Sequence, residues 1–149
     1  MLLWPDIIVR KPDSSEVLLA IEIKLGSVSA EAAMNPLKAY MVRQGCPAGI
    51  FVTPEEVTFL RNRYTSYEQD SIQTIAKCRT AELLGTFQGK TITESALVHL
   101  VEHWLENPGT GGRKSLPPDA TEAIESLVLP AVTEGGIQAT GRRLQPTGS

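Results

Sequence analysis

Asp6, Glu22 and Lys24 are the residues whose types and spacing could do chemistry. They lie in the stretch PDIIVRKPDSSEVLLAIEIKLG, from Pro5 to Gly26, among Ile, Val and Leu residues that favour a dry core. Two carboxylates side by side repel each other, and burying them is costly unless a positive charge intervenes. A divalent cation meets that need. Mg²⁺ prefers hard oxygen ligands and keeps several waters. A water acidified and oriented in this way is a nucleophile for phosphodiester hydrolysis. A neighbouring ammonium group can align that water or offset charge developing on the phosphate. Asp6 and Glu22 are therefore candidate metal ligands, the carbonyl of Ile23 is a further one, and Lys24 is a candidate catalytic partner.

The elements that position them are two strands. Asp6 to Lys11 and Val17 to Lys24 both alternate as strands do, and Pro12-Asp13-Ser14-Ser15 between them is turn chemistry. A loop of Asp13-Ser14-Ser15 sets Pro12 opposite Glu16, Val9 opposite Leu19 and Ile7 opposite Ile21, with the aliphatic side chains gathered on one face. The other face then carries Asp6 opposite Glu22, with Lys24 two residues on. A slip of one residue would move either the acids or the aliphatics to the wrong side. The competing expectation is a solvated hairpin face, on which a Glu–Lys pair contributes little.

The rest of the chain alternates between strands and helices. Asn35 to Gly45 predicts a short helix, with Asn35 as N-cap, Pro36 at the first helical position and Gly45 ending it in a left-handed conformation. Ala48 to Thr53 predicts a buried strand, and Val57 to Tyr64 continues the sheet after a Pro54-Glu55 turn. Ile72 to Arg79 reads as a strand and Thr80 opens a short helical turn. Thr91-Ile-Thr-Glu94 is a capping box ahead of a helix over Ser95 to Glu106, and another helix is expected from about Pro118 to Leu129. The expectation is one α/β domain over residues 1–132. Its core would span about residues 5–80 and a helical extension about 81–132, with a loosely held tail over 133–149.

Pro5-Asp6, fifteen intervening residues, then Glu22-Ile23-Lys24 resembles the PD-(D/E)XK signature of the restriction-endonuclease-like nuclease superfamily. The setting of the motif on two hairpin strands, the helix that follows and the strand GCPAGIFVTPEEV are also similar to that fold, and in particular to the N-terminal nuclease domain of type I restriction motor subunits. The likeness covers about Pro5 to Tyr64. It implies a mixed central sheet with flanking helices. It also implies a Mg²⁺-dependent endonuclease acting on DNA, with Mn²⁺ as a substitute. The equivalent helix often carries a Gln and a Tyr near the site; this chain has Tyr40 there but no Gln within Asn35 to Val42, so Lys38 and Tyr40 are the expected substrate contacts. The superfamily core also begins with a helix and a strand ahead of the Pro-Asp strand, where this sequence has only Met1 to Trp4; the expectation is that these elements are missing from this chain, or that another segment or another subunit takes their place. The alternative is a catalytically inactive nuclease-fold module for nucleic-acid binding or protein assembly. Paired cutting of two strands and unpaired sheet edges both point to a homodimer.

Bulk composition sets the limits. The 149 residues include 42% hydrophobic residues, enough for one core, and the net charge of -3 excludes a global electrostatic footprint for nucleic acid. Residues 1–80 hold nine basic and nine acidic residues; residues 81–149 hold five and eight, so a polyanion would meet the first part. Lys38, Arg43, Arg61, Arg63, Lys77 and Arg79 are the candidates for a groove around the acids. Cys46 and Cys78 form no disulfide framework or zinc knuckle and suit reduced thiols in a cytoplasmic protein. Pro5, Asp6, Arg10 and Lys11 interrupt any leader-like apolar run, and no membrane partner is expected. His99-Leu-Val-Glu102-His103 has the spacing of an inverted zinc-peptidase motif, but Leu97, Leu100, Val101, Trp104 and Leu105 mark its helix as a packing helix.

Overall fold

A computed structural model describes residues 5–25, 30–85, 92–108 and 116–139. Strands β1 (Ile7–Arg10) and β2 (Val17–Ile23) form the hairpin, followed by α1 (Ala30–Gln44), β3 (Ala48–Val52), β4 (Glu56–Asn62) and β5 (Ile72–Arg79). Helices α2 (Thr80–Leu84), α3 (Glu94–Leu105), α4 (Pro118–Ala123) and α5 (Leu129–Glu134) come next, and β6 (Gly136–Ala139) closes the series. The six strands form one mixed sheet in the order β5-β4-β3-β2-β1-β6. β2 and β3 are parallel, joined through α1, and the other neighbours are antiparallel.

The sheet separates two cores. Ile7, Val9, Leu19, Ile21 and Ile23 face a layer built from α2 to α5, where Leu97, Val101, Trp104, Ile124 and Val128 are buried. Ile8, Val17, Ala20, Phe51 and Leu60 face α1, whose Met34, Leu37, Tyr40 and Met41 cover them. Every residue of β2 is buried, as a central strand covered on both faces requires. The hairpin has the expected register at Ile7 with Ile21 and Val9 with Leu19, but it shifts between Val9 and Arg10, so that Arg10 stands opposite Val17. Leu18 is the extra residue. The bulge sends both Leu18 and Leu19 into the core beneath α3 to α5. The turn then closes through Lys11 N–H donating to the Glu16 carbonyl at 3.0 Å, in place of the expected pairing of Pro12 with Glu16.

Three helix boundaries differ from expectation. α1 begins at Ala30 and carries Pro36 in its interior. Ala, Glu and Met ahead of the proline are strong helix formers, and burial of Met34, Leu37 and Tyr40 outweighs the hydrogen bond that the Ala32 carbonyl forgoes. α3 is capped by Thr93, whose hydroxyl accepts from Ala96 N–H, whereas Thr91 lies outside the described residues. The helix expected to end at Leu129 continues to Glu134 through a π-helical turn at Ile124–Val128. Pro130 cannot donate to the Ser126 carbonyl, and the turn ahead of it widens.

Residues 133–139, expected to begin a loose tail, form the end of α5 and β6, and β6 pairs along the edge of β1 that β2 leaves open. Residues 140–149 of that tail lie outside the described residues. Gly135 permits the approach. A Cβ there would lie 2.8 Å from the Arg10 carbonyl oxygen and 2.9 Å from Val9 Cγ1. Gly135→Ala should therefore lower unfolding free energy by about 1–3 kcal/mol in urea titrations, through overpacking.

Cys46 and Cys78 are free and buried, and burial pushes both thiols up to about 12. At pH 8 neither should react with iodoacetamide until urea unfolds the chain, which mass spectrometry reads directly. Because the unfolded thiols ionise near ~8.5 while the folded ones keep their protons, stability should fall as pH rises above that value.

Candidate functional site

Lys24 N–H donates to the Val52 carbonyl at 3.0 Å, so the backbone groups of Lys24 point toward β3 and those of Ile23 point toward β1. On that side the Ile23 N–H donates to Oδ2 of Asp6 at 2.8 Å. The Asp6 side chain thus extends the ladder past the last backbone pair of β1. Pro5, which has no N–H, cannot return a ladder bond to the Ile23 carbonyl. That oxygen stays on the Asp6 side of β2 without its strand donor.

The observed register, continued one residue past Ile7 and Ile21, sets Asp6 opposite Glu22. Ile23 turns its backbone groups to β1, so Glu22 occupies a non-hydrogen-bonded position, where facing Cα atoms lie about 4.5 Å apart and side chains approach most closely. Asp6 and Glu22 are both completely shielded from solvent. The solvated hairpin face is therefore overturned. The cause is α1, the element that follows the hairpin, which packs over this side of β2 and β3. Lys24 reaches the pair from the surface. Its Nζ stands 3.6 Å from Glu22 Oε2, and its side chain is 42% exposed.

Asp6, Glu22, Ile23 and Lys24 are thus brought together. Among the described residues no group of three or more His, Cys, Asp or Glu side chains is gathered for a metal. Two carboxylates and a backbone carbonyl, completed by water, are nonetheless the hard-oxygen donor set that Mg²⁺ accepts.

Lys38 and Tyr40 fare differently. Lys38 is half-buried in the middle of α1, beside the stripe that faces the sheet. Tyr40 is only 2% exposed and packs in the core beneath α1. Burial raises its phenol pKa, and the cations that act on it are Arg10 and Arg43.

The basic set also divides. Lys77 shares a cross-sheet row with Glu22, through Phe51 and Thr58, and pairs with Glu56 at 3.9 Å. Arg61 alternates with the α1-facing Leu60 and Asn62 and so points to the opposite side of the sheet. Arg63 Nη2 donates to the Asp70 carbonyl at 2.9 Å and orders the loop after β4. His99 and His103 are exposed on α3, each beside a glutamate three residues on, at 3.5 and 3.9 Å.

Sequence reasoning missed Arg10. The available signal was the two-residue period of β1, which puts Asp6, Ile8 and Arg10 on one face.

The chain matches no family model, no curated protein and no solved structure.

Asp6→Ala strands the buried Ile23 N–H, whereas Asp6→Asn keeps an acceptor for it. The alanine variant should be the less stable by about 1–3 kcal/mol, as measured by urea unfolding in EDTA.

Proposed function

We propose that this protein is a metal-dependent nuclease of the restriction-endonuclease-like type that hydrolyses phosphodiester bonds in DNA. The observation that carries the reading is the buried Asp6–Glu22 pair at the end of the β1–β2 hairpin, with Lys24 Nζ 3.6 Å from Glu22 Oε2. Asp6, Glu22 and the Ile23 carbonyl would hold Mg²⁺, or Mn²⁺ in its place. The bound ion supplies a polarised water and compensates charge on the phosphate. Lys24 stands between the carboxylates and solvent, where its ammonium can donate to the attacking water or to a non-bridging phosphate oxygen. The six-stranded mixed sheet with helices on both faces agrees with this reading, and β6 takes the edge of β1 that a preceding strand would use. Two buried free thiols suit a cytoplasmic setting. Outer strands β5 and β6 offer edges for a homodimer, which light scattering would reveal.

One observation favours a second reading. Both carboxylates are fully covered, so metal and substrate reach them only if that cover opens. A chain that never opens would be a non-catalytic module for binding nucleic acid or assembling proteins.

The test is cleavage of plasmid and single-stranded DNA with Mn²⁺ or Mg²⁺. The wild type should cut, and Asp6→Ala, Glu22→Gln and Lys24→Ala should each lose at least about 100-fold in rate. A folded wild type that binds DNA without cutting would select the module, and cutting untouched by all three substitutions would place the site elsewhere.

A further inference from the structure

Arg10 lies at the far end of β1 from Asp6 and on the same face. Its cross-strand neighbour is Val17, part of the core beneath α1. Its Nε is buried with no hydrogen-bond partner among the described residues. A buried guanidinium N–H without an acceptor is costly, and such groups in folded proteins signal a missing partner. Arg43, in the last turn of α1, places its guanidinium 5.6 Å from the ring centroid of Tyr40. Neither arginine forms an ion pair among the described residues, although Lys11, Lys24 and Lys77 all do. Both guanidiniums thus act on one buried tyrosine, and among the described residues neither is ion-paired.

We propose that Arg10 and Arg43 form a phosphate-binding subsite beside Tyr40, which takes a backbone phosphate of the strand whose cleavage is assigned to Asp6 and Glu22. Arg10 is four residues along β1 from Asp6, which is about 13 Å at a strand's rise of ~3.3 Å per residue. In a duplex this spans about four steps of one strand at 3.4 Å each. Guanidinium forks suit phosphate oxygens, and Arg10 Nε gains the acceptor it lacks. Tyr40 holds its proton because burial raises its pKa, so it adds no competing negative charge. The proposal rests on the nuclease reading for the identity of the strand, but the subsite is read out without metal.

The experiment is titration of the full chain with inorganic phosphate in EDTA, followed by thermal melting and by NMR, with sodium acetate as the second arm. Phosphate should raise the melting temperature of the wild type and of Asp6→Asn, but not of Arg10→Met or Arg43→Met. Methionine keeps much of the apolar stem, and Arg43 is exposed, so that variant guards against a folding failure at Arg10. A single-stranded oligonucleotide in EDTA should bind Arg10→Met at least about tenfold more weakly than the wild type, the loss of one charge-assisted hydrogen bond. No phosphate effect on the wild type, an equal effect of acetate, or an unchanged response in both arginine variants would overturn the subsite. Phosphate binding lost in Arg10→Met, in a protein that never cleaves DNA, would leave the subsite standing and remove the nuclease reading. Cleavage that depends on Asp6, with phosphate binding indifferent to both arginines, would do the reverse.

Discussion

The hydrogen bond from Ile23 N–H to the Asp6 carboxylate fixes the end of the hairpin on which everything else at the site depends. A strand pair normally ends when its backbone donors and acceptors run out of partners. Here a side-chain oxygen takes the acceptor's place, and a proline occupies the position whose N–H would have completed the exchange. The consequence is chemical as well as structural. One carboxylate is pinned against the backbone next to the second carboxylate, and the carbonyl between them is released from the ladder. A Pro-Asp pair at the start of a strand thus does two jobs with two adjacent residues.

Much of the hairpin was legible because its information is local. The alternation of aliphatic residues picks one register, and Ile7 with Ile21 and Val9 with Leu19 stand where that pattern sets them. The bulge at Leu18 was not legible, since Leu18 and Leu19 are both apolar and a two-residue period cannot say which of them is extra. Residues 136–139 were missed for another reason. Gly-Ile-Gln-Ala has little strand character of its own and becomes a strand only on the open edge of β1, more than a hundred residues away. The left-handed Gly45, with a φ of 65°, was readable because only its own backbone decides it.

The burial of the acids marks the sharper limit. From the hairpin alone, Asp6, Glu22 and Lys24 read equally as a wet face or as a site. What distinguishes the two is α1, which brings Met34, Leu37 and Met41 over that face. A charged group enclosed by a helix and a sheet is held at a cost that a surface ion pair never meets. Tyr40 shows the same effect in the other direction. Its place on the helix suggested a substrate contact, but the ring is buried beneath α1, with the Arg43 guanidinium 5.6 Å from its centroid.

Asp6, one residue ahead of β1, and Arg10, at its end, then acquire a common logic from that strand. Even-numbered residues of β1 all face α1, so the spacing of carboxylate and guanidinium is set by a strand held between two neighbours, β2 and β6, and not by a loop. The bulge between Val9 and Arg10 adds an extra residue on β2 and leaves β1 in regular alternation, which keeps Arg10 on the face of Asp6. On the proposed reading, the acids would take a divalent ion and Arg10, whose Nε has no acceptor among the described residues, would take a phosphate, about 13 Å away along the same sheet face. A polyanionic strand accompanied by a divalent ion would then meet both, which neither ligand alone would do.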